Sequence, residues 1–171
     1  MNLHHAVLSF ALLCAVSSVS STAEAARGLE ARDLVTLDRY SAPTLSPNGR
    51  MLVFAKRSVD FAANKSATSL WIENLSARDA APPKRLTPEG WNVNSPAFSP
   101  DGSTVYFLSA KSGSQQLYAL PAAGGTPKLL TELPVDVGGD KLSPDGKRVA
   151  LTLEAFADCR SDLTCTRKRL D

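Results

Sequence analysis

One tetrapeptide, Ser-Pro-Asx-Gly, recurs three times in this chain: Ser46-Pro47-Asn48-Gly49, Ser99-Pro100-Asp101-Gly102 and Ser143-Pro144-Asp145-Gly146. Its chemistry is that of a tight turn. Pro at the second position presets φ, Asn or Asp at the third bonds its own backbone, and Gly closes the turn where a side chain would be strained. Each copy follows an apolar residue and precedes a β-prone run, and the copies lie 53 and 44 residues apart. A hairpin-bearing unit repeated every ~40–50 residues is the sequence mark of a β-propeller.

The units align beyond their turns. In the second, Ala97-Phe98 enters the turn and Thr104 to Leu108 leaves it as a β-branched and aromatic strand. Gln116 to Leu120 reads as a third strand and Lys128 to Thr131 as a fourth. The first unit runs in the same order through Thr44-Leu45, Met51 to Ala55, Leu70 to Leu75 and Lys84 to Thr87, with extra residues around Asp60 to Lys65 read as a surface hairpin loop. Phe54 matches Phe107, Trp71 matches Tyr118 and Leu86 matches Leu130, a pattern that predicts blade-to-blade packing. Four short strands joined by tight turns make one blade. The third unit supplies only Lys141-Leu142, its turn and Arg148 to Leu153 before the pattern changes. The expected fold class is therefore all-β, a partial propeller of about two and a half four-stranded blades. Blades are expected to start near residues 43, 95 and 139, after a lead-in segment at 26–42. A ring normally needs four to eight blades, so the sequence reads as the front part of a longer protein.

Ahead of the repeats, Ala6 to Val16 is an eleven-residue apolar run, too short to span a bilayer as a helix. Polar Ser17 to Thr22 and then Ala23-Glu24-Ala25 follow, which fits a signal peptide at 1–25 cleaved between Ala25 and Ala26. Cys14 follows bulky Leu13, which argues against a lipoprotein anchor. The expected localisation is exported, periplasmic or secreted. Removing the leader takes Glu24 and no basic residue, leaving 19 basic against 16 acidic side chains. That balance is too mild for a nucleic-acid partner, and no later stretch approaches membrane-spanning length.

These residues resemble a family. Leu29 to Tyr40 running into Ser41 to Arg50 is similar to the opening of secreted bacterial serine peptidases of the prolyl oligopeptidase family, in the acylaminoacyl-peptidase or dipeptidyl-peptidase branch. Phe98 to Gly102 and its strand resemble the repeat shared by those propellers and the TolB type, and Asp158 to Asp171 resembles a mid-propeller segment of the same branch. The resemblance implies a propeller that filters short peptides toward a C-terminal α/β-hydrolase domain, the natural partner of these residues. A non-enzymatic TolB-like interaction scaffold is the alternative. The family's nucleophile sits in Gly-x-Ser-x-Gly, and the chain contains no such motif. Its histidines, His4 and His5, both lie in the leader. Without a histidine no Ser-His-Asp triad can form, so these residues alone are expected to be inactive.

No cofactor or metal site is expected either. Gly124-Gly125 and Gly138-Gly139 read as turns rather than phosphate cradles, and Asp136, Asp140 and Asp145 lack the bidentate Glu of a calcium loop. Cys159 and Cys165 admit two readings. An exported protein favours a disulfide. A reduced pair on one continuous helix would stand ~9 Å apart along the axis, beyond bridging distance.

Overall fold

A computed structural model describes residues 27–76 and 81–171. The leader, its Ala25–Ala26 cleavage point and both histidines lie outside the described residues. A short helix, α1 (Ala31–Thr36), begins at a capping box in which Glu30 and Asp33 each accept the other's backbone N–H. Three antiparallel sheets follow. The first has the order β1 (Arg39–Leu45), β2 (Met51–Asp60), β3 (Lys65–Asn74) and β4 (Lys84–Arg85). The second repeats it with β5 (Val93–Phe98), β6 (Thr104–Ser109), β7 (Gln116–Pro121) and β8 (Lys128–Leu129). The third pairs β9 (Val137–Leu142) with β10 (Val149–Leu153). Two four-stranded meanders and one two-stranded beginning are the partial propeller that the repeats predict.

Three sequence expectations move. β1, β5 and β9 open at Arg39, Val93 and Val137 rather than near 43, 95 and 139, so the lead-in 26–42 holds α1 and the first four residues of β1. The reason is a mid-strand irregularity. Pairing shifts between Ser41 and Thr44 and between Asn94 and Ala97, where Ala42 and Ser95 adopt φ of 50° and 51° just before Pro43 and Pro96. The prolines that look like strand starts sit at bulges, where a strand tolerates them. The extra residues near Asp60 prolong the sheet: β2 and β3 pair without interruption from Met51↔Asn74 to Asp60↔Lys65. Gly138-Gly139 is not a turn but part of β9. A Cβ on Gly139 would lie 2.9 Å from Thr152 Oγ1, so the glycine is there for a close approach across the hairpin.

The core forms between sheets. Val53, Ala55, Leu70 and Ile72 on one face of the first sheet meet Val105, Phe107, Tyr118 and Leu120 of the second. The period of two in a strand puts alternate residues on that face. Phe107 and Tyr118 are cross-strand partners and stack with ring centroids 5.6 Å apart, and Trp91 packs edge-on to Tyr118 at 5.3 Å. The matching pair in the first sheet, Phe54 opposite Trp71, lies on its other face. There Tyr40 packs on Phe54 and the Lys56 ammonium sits 5.0 Å from the Trp71 ring. A smaller cluster of Leu108, Leu117 and Val137 joins the second sheet to the third.

After β10 the chain makes a 3₁₀ turn (Ala157–Cys159) and then α2 (Leu163–Leu170), whose N-cap Asp162 accepts N–H bonds from Thr164 and Cys165. Cys159 and Cys165 are joined by a disulfide with Cα atoms 5.6 Å apart. A helix and a bridge coexist because the helix starts only at Leu163, so Cys159 stays outside it. The two readings of the cysteines are not mutually exclusive.

Candidate functional site

The three Ser-Pro-Asx-Gly turns fold alike, atom for atom. In each, the Gly N–H donates to the Ser carbonyl at 2.8–2.9 Å, and the Ser N–H donates to the carbonyl five residues on at 2.9 Å. The Ser hydroxyl donates to the Asx side chain two residues on: Ser46 to Asn48 at 2.8 Å, Ser99 to Asp101 at 2.5 Å and Ser143 to Asp145 at 2.5 Å. The Asx oxygen also accepts the backbone N–H of Arg50, Ser103 or Lys147. Gly49, Gly102 and Gly146 take φ of 69°, 75° and 67°, the left-handed region that favours glycine.

Successive turns also touch. A Cβ on Gly102 would meet Pro47 Cδ at 3.4 Å, and one on Gly146 would meet Pro100 Cδ at 3.1 Å, whereas Gly49 has nothing within 4 Å. Each proline thus rests on the glycine of the following unit. This ladder lines up the strands that carry the turns, so that the Thr44 hydroxyl donates to the Pro96 carbonyl at 3.0 Å. β1, β5 and β9 together border a groove of about 610 Å³, with Leu45, Pro96, Phe98, Asp140 and Leu142 in its wall.

The charged groups here are held in opposite ways. Asp101 accepts bonds from the Ser99 hydroxyl, from the Ser103 N–H and from the Ser103 hydroxyl, which together hold its pKa down to about 2. Asp145 is lowered for the same reasons, first by Ser143. Asp140 is half-buried, its Oδ2 has no hydrogen-bond partner, and burial pushes its pKa up. It occupies the place of Pro43 and Pro96, three residues before the turn serine.

Asp101 gives a pH prediction. A carboxylate with a depressed folded pKa stabilises the fold above its unfolded value and loses that contribution as pH falls through the folded pKa. Asp101→Asn keeps the turn, as Asn48 shows in the first unit. It is expected to remove part of the stability loss between about pH 4 and pH 2, followed by far-UV circular dichroism. An acid transition identical to that of the native chain would contradict the role given to Asp101.

The structure places the predicted site residues as follows. Pro47, Gly49, Pro100, Gly102, Pro144 and Gly146 all sit in the ladder of turns. Asp136, Asp140 and Asp145 do not converge: Asp136 accepts the Gln115 N–H at 2.7 Å, Asp145 belongs to its turn and Asp140 faces the groove region. Among the described residues no three His, Cys, Asp or Glu side chains gather as a metal site. Two residues escape the sequence reading. Buried Gln116 donates to the carbonyls of Leu133 and Val135 and accepts from the Thr131 hydroxyl and the Leu133 N–H, tying the link between the second and third sheets. Trp91 closes the aromatic cluster from a non-strand position. A repeated Thr could have been found: Thr87 and Thr131, at matching places, accept the N–H of Leu70 and Leu117 at 2.9 Å.

No family model matches the chain. Among characterised sequences it is 28% identical over 130 residues to the uncharacterized peptidase YuxL of Bacillus subtilis, a match over 73% of this chain and 19% of that protein. It is 31% identical over 118 residues to dipeptidyl-peptidase 5 of Porphyromonas gingivalis, covering 69% of this chain and 17% of the relative. The chain therefore spans less than a fifth of the length of these curated relatives. Among solved structures it is similar to a putative TolB from Agrobacterium tumefaciens, with a TM-score of 0.56 and 19% identity over 70% of this chain and 39% of that one. It is similar also to the β-propeller domain of the Trilobed protease from Pyrococcus furiosus, with a TM-score of 0.53 and 19% identity over 68% of this chain and 34% of that one.

Proposed function

We propose, on the premise that this chain is kin in sequence to peptidases of the prolyl oligopeptidase family and a partial propeller in fold, that it is the propeller part of an exported serine peptidase. The observation that carries the reading is a coincidence of two matches. The sequence likeness to peptidases spans about 70% of the chain, 73% and 69% in the two relatives, and the fold over a similar share is that of a protease propeller domain.

In this role the residues serve access and not chemistry. Bond breaking belongs to a hydrolase domain carrying Gly-x-Ser-x-Gly, Asp and His, and the 171 residues contain neither that motif nor a histidine outside the leader. A general base working near neutral pH is thus not among them. What they supply is a rigid wall: stacked turns, a filled core between sheets, and the β1–β5–β9 groove along which an extended peptide would pass. Export follows from the leader and agrees with a disulfide in the oxidised state.

A TolB-like scaffold is the second reading, favoured by the fold likeness to TolB over 39% of that chain. Reading the gene beyond codon 171 separates the two. In-frame Gly-x-Ser-x-Gly followed by Asp and His is expected. Further Ser-Pro-Asx-Gly units with no such motif would overturn the peptidase assignment in favour of the scaffold.

A further inference from the structure

β10 stands where an inner strand should be. At the same place in their sheets, β2 and β6 are paired on both sides, whereas β10 pairs with β9 alone among the described residues. Its five residues, Val149-Ala150-Leu151-Thr152-Leu153, contain no proline and no charge. Those are the devices that usually stop an edge strand from pairing. Val149 is 40% exposed, so the edge is accessible along with an apolar side chain.

The residues on either side of the strand point to one partner. Arg148 precedes it and Glu154 follows it, both exposed and, among the described residues, in no ion pair. An antiparallel pairing of β10 with itself, centred on Leu151, sets Arg148 of each copy opposite Glu154 of the other. The same register puts Val149 opposite Leu153 and Leu151 opposite Leu151, an apolar row on one face, with Ala150 opposite Thr152 on the other. Opposed charges and apolar cross-strand pairs each favour such a register. Every neighbouring pair of strands in the structure is antiparallel. The product, β9-β10-β10-β9 across a two-fold axis, would have four antiparallel strands, the number in each complete sheet.

We propose that the β10 edge is a self-association surface, through which two copies of this chain pair strand to strand in the Leu151-centred register. The inference rests on this edge and its flanking charges, not on the peptidase reading. It concerns the chain of 171 residues as such.

Sedimentation equilibrium of the full chain tests it. The native chain is expected to show a concentration-dependent monomer–dimer equilibrium. Arg148→Glu places Glu opposite Glu twice, and Glu154→Arg places Arg opposite Arg twice, so each single reversal should weaken the dimer about tenfold or more. Because a misfolded variant would also fail to pair, two rescues are included. The double reversal in one chain should restore the native affinity. An equimolar mixture of the two single variants should form a heterodimer tighter than either homodimer. A native chain that stays monomeric throughout would overturn the proposal. So would association indifferent to both reversals, which would mean that another surface, or another strand of the same chain, occupies the edge.

Discussion

Phe107→Ala is expected to destabilise the protein by about 3–5 kcal/mol, the largest effect of any single substitution in the described fold. Phe107 is fully buried and belongs to the face of β6 that meets the first sheet. Its ring stacks on Tyr118 at 5.6 Å and contacts Trp91 at 6.4 Å, so truncation removes apolar burial and two aromatic contacts together. The cavity would open at the joint between sheets, between rigid strands that cannot collapse to fill it. Phe54→Ala, at the matching position of the first sheet, should cost clearly less, because its face is covered only by Tyr40, Lys56 and neighbouring strand residues. Urea unfolding followed by tryptophan fluorescence gives both numbers, with Trp91 reporting on the joint. Equal costs at the two positions would show that the inter-sheet joint contributes nothing special.

The second expectation concerns the glycines of the turns. Gly49, Gly102 and Gly146 share nearly the same backbone conformation, so alanine at any of them meets the same left-handed penalty of ~1–2 kcal/mol. Only their surroundings differ. At Gly49 the added methyl enters open space. At Gly146 it would lie 3.1 and 3.2 Å from the Pro100 ring, a rigid group that cannot swing aside. Gly49→Ala should therefore cost only the backbone penalty, while Gly146→Ala should add a further ~1–3 kcal/mol for the forced displacement of the turn above it. The difference between the two variants isolates the inter-turn contact. If they unfold at the same denaturant concentration, the proline–glycine contact has no energetic weight.

The parts of this structure legible in the sequence are those governed by local chemistry. A Ser-Pro-Asx-Gly turn needs only its own atoms, and the matched aromatics Phe54–Trp71 and Phe107–Tyr118 follow from aligning the units on those turns. The fold class follows as well, together with the kinship to propeller-bearing peptidases. What stayed hidden depends on distant partners. The positive φ at Ala42 and Ser95 is set by pairing to β2 and β6 and not by alanine or serine. Gly138-Gly139 looks like a turn until Thr152 is seen pressing on it. Gln116 is an ordinary polar letter until the loop ending at Val135 folds over it. Asp136, Asp140 and Asp145 cluster along the chain but face different neighbours, and only Asp140 lies in the groove wall. Trp91 sits in a segment with no periodicity to betray it.

The proline-on-glycine contact between consecutive turns also bears on how such a chain can change over generations. Both halves of each joint come from the same tetrapeptide, since Pro47 meets Gly102 as Pro100 meets Gly146. A duplication or loss of one whole unit therefore recreates the joints on either side from residues already fitted to each other, with stability set by nearest neighbours. A partial duplication breaks one. Length in this architecture is free to drift by whole modules and penalised for anything between, which makes the turn both a structural contact and the natural seam for genetic recombination.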